Sequence, residues 1–208
     1  MHNQIKLMLQ MQDEMNRKVT EDWLTRGFEW YRAIWIECGE LMDHHGWKWW
    51  KKQDPDIEQV KLEIIDIWHF GLSMLLESSK DHDGLIDSIA DDFNYTAPST
   101  VPLLEAVETF ATTTLAERTF SPSKFKSLMD AAGMSVDDLY VGYVGKNTLN
   151  LFRQDFGYKE GTYVKVWDGR EDNEHLVEGA QSLDTSLPSF RDDLYNFLKE
   201  RYKSTTGA

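Results

Sequence analysis

Cysteine is almost missing from this chain: Cys38 is the only one, so no disulfide can close within it. Basic charge is also scarce, with 22 Lys and Arg against 36 Asp and Glu and a net charge of −14. That balance excludes nucleic acid as a main partner, because duplex binding is dominated by cations neutralising phosphates. Any phosphate ligand must instead be met through metal ions or a local cationic subsite. No apolar run approaches the roughly 18 residues of a membrane span, since charged residues interrupt every hydrophobic stretch, and no membrane partner is expected. The N-terminus lacks the basic-then-apolar layout of a signal peptide, so the expected location is the cytoplasm. Internal repeats and low-complexity segments are absent as well.

What remains is helical periodicity. Ile5, Met8, Met11, Met15 and Val19 recur at three- and four-residue steps, one face of an amphipathic helix over about 1–18, with Gln12 and Asn16 beside the stripe. Leu24, Phe28, Tyr31, Trp35, Cys38 and Met42 predict a long second helix over about 22–44, stopped by Gly46. Asp54-Pro55 reads as an N-cap with proline at the first helical position. The third helix that follows is apolar on nearly every side, through Ile57, Val60, Ile64, Ile67, Trp68, Leu72 and Leu75. Residues 78–100, rich in Ser, Asp and Gly, read as a loop with one short helix near Leu85 to Ala90. Helices are expected again over about 101–117 and 122–132, with Gly133 as the stop, and from Val136 to about Phe156 behind a Ser135/Asp138 capping box. Tyr163 to Trp167 with Asp168-Gly169 makes one hairpin-like element and no sheet. The expected class is all-α, a helical bundle with a small irregular C-terminal cap, in a single domain over 1–208.

Glu37 and Glu40 are three residues apart on the second helix, and Glu63 and Asp66 three apart on the third, so each pair shares a face. Such spacing also occurs on solvated surfaces. A helix that is apolar on most sides, however, leaves Glu63 and Asp66 no wet face, and an unpaired carboxylate buried there would be driven to protonate. Four opposed carboxylates suit a hard divalent cation, Mg²⁺ or Mn²⁺, completed by substrate phosphate oxygens. Asp66 and His69 also form a DxxH pair, loosely like a di-iron bundle. That site needs a carboxylate-x-x-His on two helices, and His44 follows Glu40 by four residues. A helical protein whose carboxylates bind a metal or partner without catalysis is a further alternative.

The ExxE of Glu37-Cys-Gly-Glu40 and the ExxD of Glu63-Ile-Ile-Asp66 resemble the all-α nucleoside triphosphate pyrophosphohydrolases, which include the MazG-like enzymes and the dimeric dUTPases. Trp47-Lys-Trp-Trp-Lys51 is similar to the WKxWK segment of the dimeric dUTPases. Gly145 to Gln154, Gly157-Tyr158, Gly161 to Lys165 and Glu171-Asp-Asn173 resemble that family's C-terminal motifs in order and spacing.

The resemblance covers about residues 5–76 and 138–175, with metal-binding helices over about 1–77 and a phosphate-binding segment over about 136–175. It implies a homodimer that hydrolyses dUTP, and dUDP as well, to dUMP. Glu37, Glu40, Glu63 and Asp66 would hold two or three Mg²⁺ ions, with Mn²⁺ as a substitute, and Glu37 or Glu40 would orient the attacking water. Lys146, Asn150, Arg153, Tyr158, Lys165 and Asn173 would bind phosphates. Gln12, Asn16 and Trp49 would bind the base. Rotated amides would equally accept from cytosine, so dCTP, alone or with dUTP, is the alternative substrate.

Overall fold

The structure, a computed structural model, describes residues 1–94 and 101–206, the side chains of 205 and 206 excepted. It is helical apart from one two-stranded hairpin among the described residues, in agreement with the all-α class. The chain divides into two compact units, Met1–Tyr140 and Val141–Ala208.

In the first unit, α1 (His2–Val19) packs on α3 (Ile57–Ser78) and buries Ile5, Met8 and Met11 of the predicted stripe together with Leu9, while Met15 is partly buried and Val19, at the end of the stripe, is 52% exposed. Trp68 Nε1 donates to Met8 Sδ at 3.3 Å between these two helices. α2 (Trp30–His45) lies along α3 and contributes Ile34, Cys38 and Leu41 to the core. α4 (His82–Asn94) packs on α1 and on α6 (Pro122–Ala131), and α5 (Leu103–Glu117) packs on α2 and α6. Trp68 anchors the centre, stacked on Phe125 at 4.9 Å with Phe93 and Phe120 around it.

Three boundaries differ from the sequence reading. The long second helix is divided: Trp23–Thr25 forms a 3-10 turn, Gly27 takes a φ of 63°, and α2 starts only at Trp30. The left-handed backbone at Gly27 ends any continuous helix, and Phe28, which continues the helical spacing, is 41% exposed and not part of a helix stripe. α3 is capped by Asp56, whose side chain accepts from Gln59 N at 3.1 Å, and not by Asp54. α4 is longer than the short helix expected there. Asp81 accepts from Gly84 N at 3.1 Å, so the Ser/Asp/Gly run is in part a helix cap. The remainder of the expected loop, residues 95–100, lies outside the described residues.

The boundary between the units falls within α7 (Val136–Asp155). This helix begins with the predicted capping box: Asp138 N donates to Ser135 Oγ at 3.1 Å and Ser135 N to Asp138 Oδ2 at 2.9 Å. In the second unit β1 (Val166–Trp167) pairs antiparallel with β2 (Arg170–Glu171) across Asp168 and Gly169. Both turn residues have positive φ, 49° and 77°, as a two-residue primed turn requires. α8 (Asp172–Ser182) and α9 (Phe190–Thr206) complete the unit, where sequence alone suggested an irregular cap. Their core is aromatic, with Phe152, Trp167 and Tyr202 buried together and Phe156, Tyr163 and Tyr195 packed around them.

Candidate functional site

Pairing α2 with α3 brings carboxylates of different helices face to face. One ligand atom each from Glu37, Glu63 and Asp66 lies within 4.8 Å of the others. Glu63 is only 7% exposed, as the apolar surroundings of α3 imply. Glu40 is exposed and outside this trio, yet its charge still acts on Glu37. The Glu37 carboxyl is pushed up to about 8, first by burial, then by the charge of Asp66, then by a hydrogen bond to Glu63 and the charges of Glu63 and Glu40. His44 Nε2 stands 3.3 Å from Glu63 Oε1. His69 directs Nδ1 to the Ile65 carbonyl at 2.8 Å, with Asp66 Oδ1 further off at 3.9 Å. The converging group therefore contains no histidine among the described residues, and an all-oxygen donor set fits a hard divalent cation better than a di-iron centre.

A testable consequence follows from Glu37. Its folded-state pKa is above the unfolded value of 4.5, so its stabilising contribution is whole below that value and is lost as pH rises through about 8. Without metal, Tm is expected to fall as pH rises between those two values, and Glu37→Gln should flatten the slope. Added Mg²⁺ should raise Tm most at the alkaline end, where it no longer competes with a proton. Thermal melts in chelator and in Mg²⁺ check this; a metal-free Tm independent of pH across the window contradicts it.

The predicted base-reading amides are tied together. Gln12 is buried on α1 and donates through Nε2 to Asn16 Oδ1 at 3.1 Å and to Ser73 Oγ at 3.0 Å. Asn16 Nδ2 donates to the same Oγ at 2.9 Å. Asn16 also lines a cavity of about 360 Å³ whose walls include Trp23, Phe28, Trp30 and Phe70. Trp30 stacks on Phe70 at 6.2 Å and meets Phe28 edge-on at 5.3 Å. Sequence reasoning misses these aromatic walls and Ser73; the available signal is a serine set inside the apolar run of α3. Trp49 is not among the lining residues. It is 90% exposed, with its ring edge-on to Trp50 at 5.5 Å.

The predicted phosphate-binding residues lie in the second unit. Lys146, Asn150 and Arg153 are all partly buried on α7. Arg153 makes a two-point contact with Asp172, Nε to Oδ2 at 2.8 Å and Nη2 to Oδ1 at 2.9 Å, and its Nη1 donates to Asn150 Oδ1 at 3.3 Å. Burial works against the Arg153 charge, but the hydrogen bonds and charge of Asp172 outweigh it and its pKa is raised. Tyr163 donates its hydroxyl to Asp172 Oδ2 at 2.9 Å. Asp172, wholly buried, thus organises this region, although the sequence suggested no role for it. Tyr158 and Asn173 are exposed, and Lys165 reaches Glu171 at 3.1 Å.

No helix of the described residues is long and apolar enough to cross a membrane. No curated protein matches the chain. A family model described as dUTPase matches residues 4–158, taking in α1 to α7, the carboxylates and the amides. The match runs through the middle helices, where no motif was readable, and ends before Lys165 and Asn173. A match over well more than half of the length, on an all-α fold with its acidic residues converging, establishes that this chain belongs to the all-α dUTPase family and is a nucleoside triphosphate pyrophosphohydrolase.

Proposed function

We propose that this chain hydrolyses dUTP, and dUDP as well, to dUMP in a Mg²⁺-dependent reaction, working as a cytoplasmic homodimer that limits deoxyuridine nucleotides. The observation that carries the reading is the convergence of Glu37, Glu63 and Asp66 from two helices in a chain of this family. Glu37, Glu40, Glu63 and Asp66 would hold the metal, with Glu37, Glu63 and Asp66 as the converging trio and Glu40 acting from the edge of the cluster. Mg²⁺, when bound, supplies positive charge at the phosphates and makes a water more acidic. A carboxylate oxygen of Glu37 or Glu40 takes the proton of the attacking water.

The base would enter the aromatic-walled cavity, where Asn16, backed by Gln12, reads its polar edge. Trp49 is retained as an aromatic cover for the base; its full exposure leaves it accessible to a ligand or to a second subunit. Lys146, Asn150, Arg153, Tyr158, Lys165 and Asn173 are assigned to the phosphates, with Lys165 and Tyr158 the most exposed of the basic and aromatic groups. For the homodimer, Trp35 and Ile36 on α2 offer apolar surface, 46% and 56% exposed.

The test is a panel of dUTP, dUDP, dCTP, dTTP and dATP, each with and without Mg²⁺. Metal-dependent release of dUMP with little turnover of dTTP supports the reading. A preference for dCTP keeps the chemistry and changes the substrate. Inactivity on every nucleotide in the presence of Mg²⁺ overturns it.

A further inference from the structure

Ser73 is fully buried on α3. Its Oγ lies 3.1 Å from the carbonyl of His69, one turn back, and a carbonyl can only accept. The single hydroxyl proton therefore goes to His69, so any other group bonded to Oγ must donate to it. Two groups do, Gln12 Nε2 at 3.0 Å and Asn16 Nδ2 at 2.9 Å. Gln12 Nε2 donates to Asn16 Oδ1 as well, at 3.1 Å. Each bond in this network has one polarity, set outward from the backbone. Turning the Asn16 amide over would place its oxygen against a hydroxyl with no proton to offer and its nitrogen against the Gln12 NH₂. Two hydrogen bonds would become two repulsions in a partly buried place beside the fully buried Ser73, where unmade polar contacts are costly.

Asn16 is also the amide that lines the aromatic cavity. Its convergent N–H and carbonyl edge is taken up by Ser73 and Gln12, which leaves the outer N–H and the outer lone pair of the carbonyl, so the locked orientation fixes whether the amide turns a donor or an acceptor to a ligand on a given side. Along the N3–C4 edge uracil presents a donor and then an acceptor, whereas cytosine presents an acceptor and then a donor. A ring held in one pose satisfies a fixed amide with only one of these bases; the other requires the amide to turn over. We propose that Ser73 is a positioning residue for base choice, acting through Gln12 and Asn16 to lock the amide order and so to discriminate uracil from cytosine triphosphates. This rests on the reading of those amides as base-reading groups.

The test is kcat/KM for dUTP and for dCTP in the wild type, Ser73→Ala, Ser73→Thr and Asn16→Ala, with circular dichroism and thermal melts as the fold control. The wild type is expected to prefer one of the two by about tenfold or more, since mismatched donors and acceptors in a buried site are strongly rejected. Ser73→Ala should move that ratio most of the way to one. Ser73→Thr, which keeps the hydroxyl, should hold it. Where Ser73→Ala does not fold, Ser73→Cys repeats the test with a near-isosteric but poor acceptor.

A wild type with no preference, or a folded Ser73→Ala with the wild-type ratio, overturns the proposal. Asn16→Ala separates the two levels. If it leaves the ratio unchanged, the base-reading assignment itself has failed. If it changes the ratio and Ser73→Ala does not, only the role of Ser73 has failed.

Discussion

Glu63→Gln is expected to abolish turnover while making the metal-free protein more stable at alkaline pH. Glu63 is the most buried of the three converging carboxylates, it faces Glu37 and Asp66, and its hydrogen bond and charge both help to raise Glu37. Replacing it with an amide of the same shape removes a negative charge from a crowded site, which relieves like-charge repulsion when no cation is present. The same change removes a hard ligand oxygen. The loss of activity should exceed the roughly 10–100-fold that follows removal of an outer-shell partner of a metal site. Steady-state kinetics in Mg²⁺ and thermal melts in chelator give the two readouts. Retention of full activity would contradict the metal assignment, and a large drop in metal-free Tm would mean that Glu63 is a structural residue.

In the second unit the largest effect is expected from Asp172→Ala. Asp172 is 0% exposed, holds Arg153 at two points and receives the Tyr163 hydroxyl. Removing it leaves a largely buried guanidinium without its counter-charge, and breaking a buried pair in this way costs about 3–5 kcal/mol. The half-exposed Lys165–Glu171 pair, with both side chains 53% exposed, is the internal control, because solvent-screened pairs of this kind contribute roughly 0–1 kcal/mol. Denaturant unfolding monitored by tryptophan fluorescence should separate the two variants clearly; near-equal stabilities would contradict the role given to Asp172.

Where local chemistry decides, the sequence is readable. The stripe of α1, the apolar run of α3, the Ser135/Asp138 box and the Asp168-Gly169 turn all follow from rules acting over a few residues. Gly27 shows the limit: helical spacing continues through it, but a single left-handed residue breaks the helix. The Ser- and Asp-rich stretch before α4 misleads in the opposite direction, since residues common in loops also cap helices. In the candidate site, Glu63 and Asp66 are legible because their spacing on an apolar helix conflicts with simple burial, and Glu37 joins them while Glu40 stays exposed outside the trio. Ser73 is not, because its partners Gln12 and Asn16 lie 61 and 57 residues away and meet it only through the packing of α1 on α3. The role of Asp172 is hidden for a similar reason, since Arg153 precedes it by 19 residues and a β-hairpin.

Metal-dependent pyrophosphohydrolysis is tested most directly by following dUTP with the metal-stripped protein while Mg²⁺ is titrated back, quantifying dUMP and pyrophosphate together. No turnover in chelator, recovery with Mg²⁺, and the two products in equal amounts are expected. Turnover that persists in chelator, or dUDP and inorganic phosphate as the products, would contradict that chemistry.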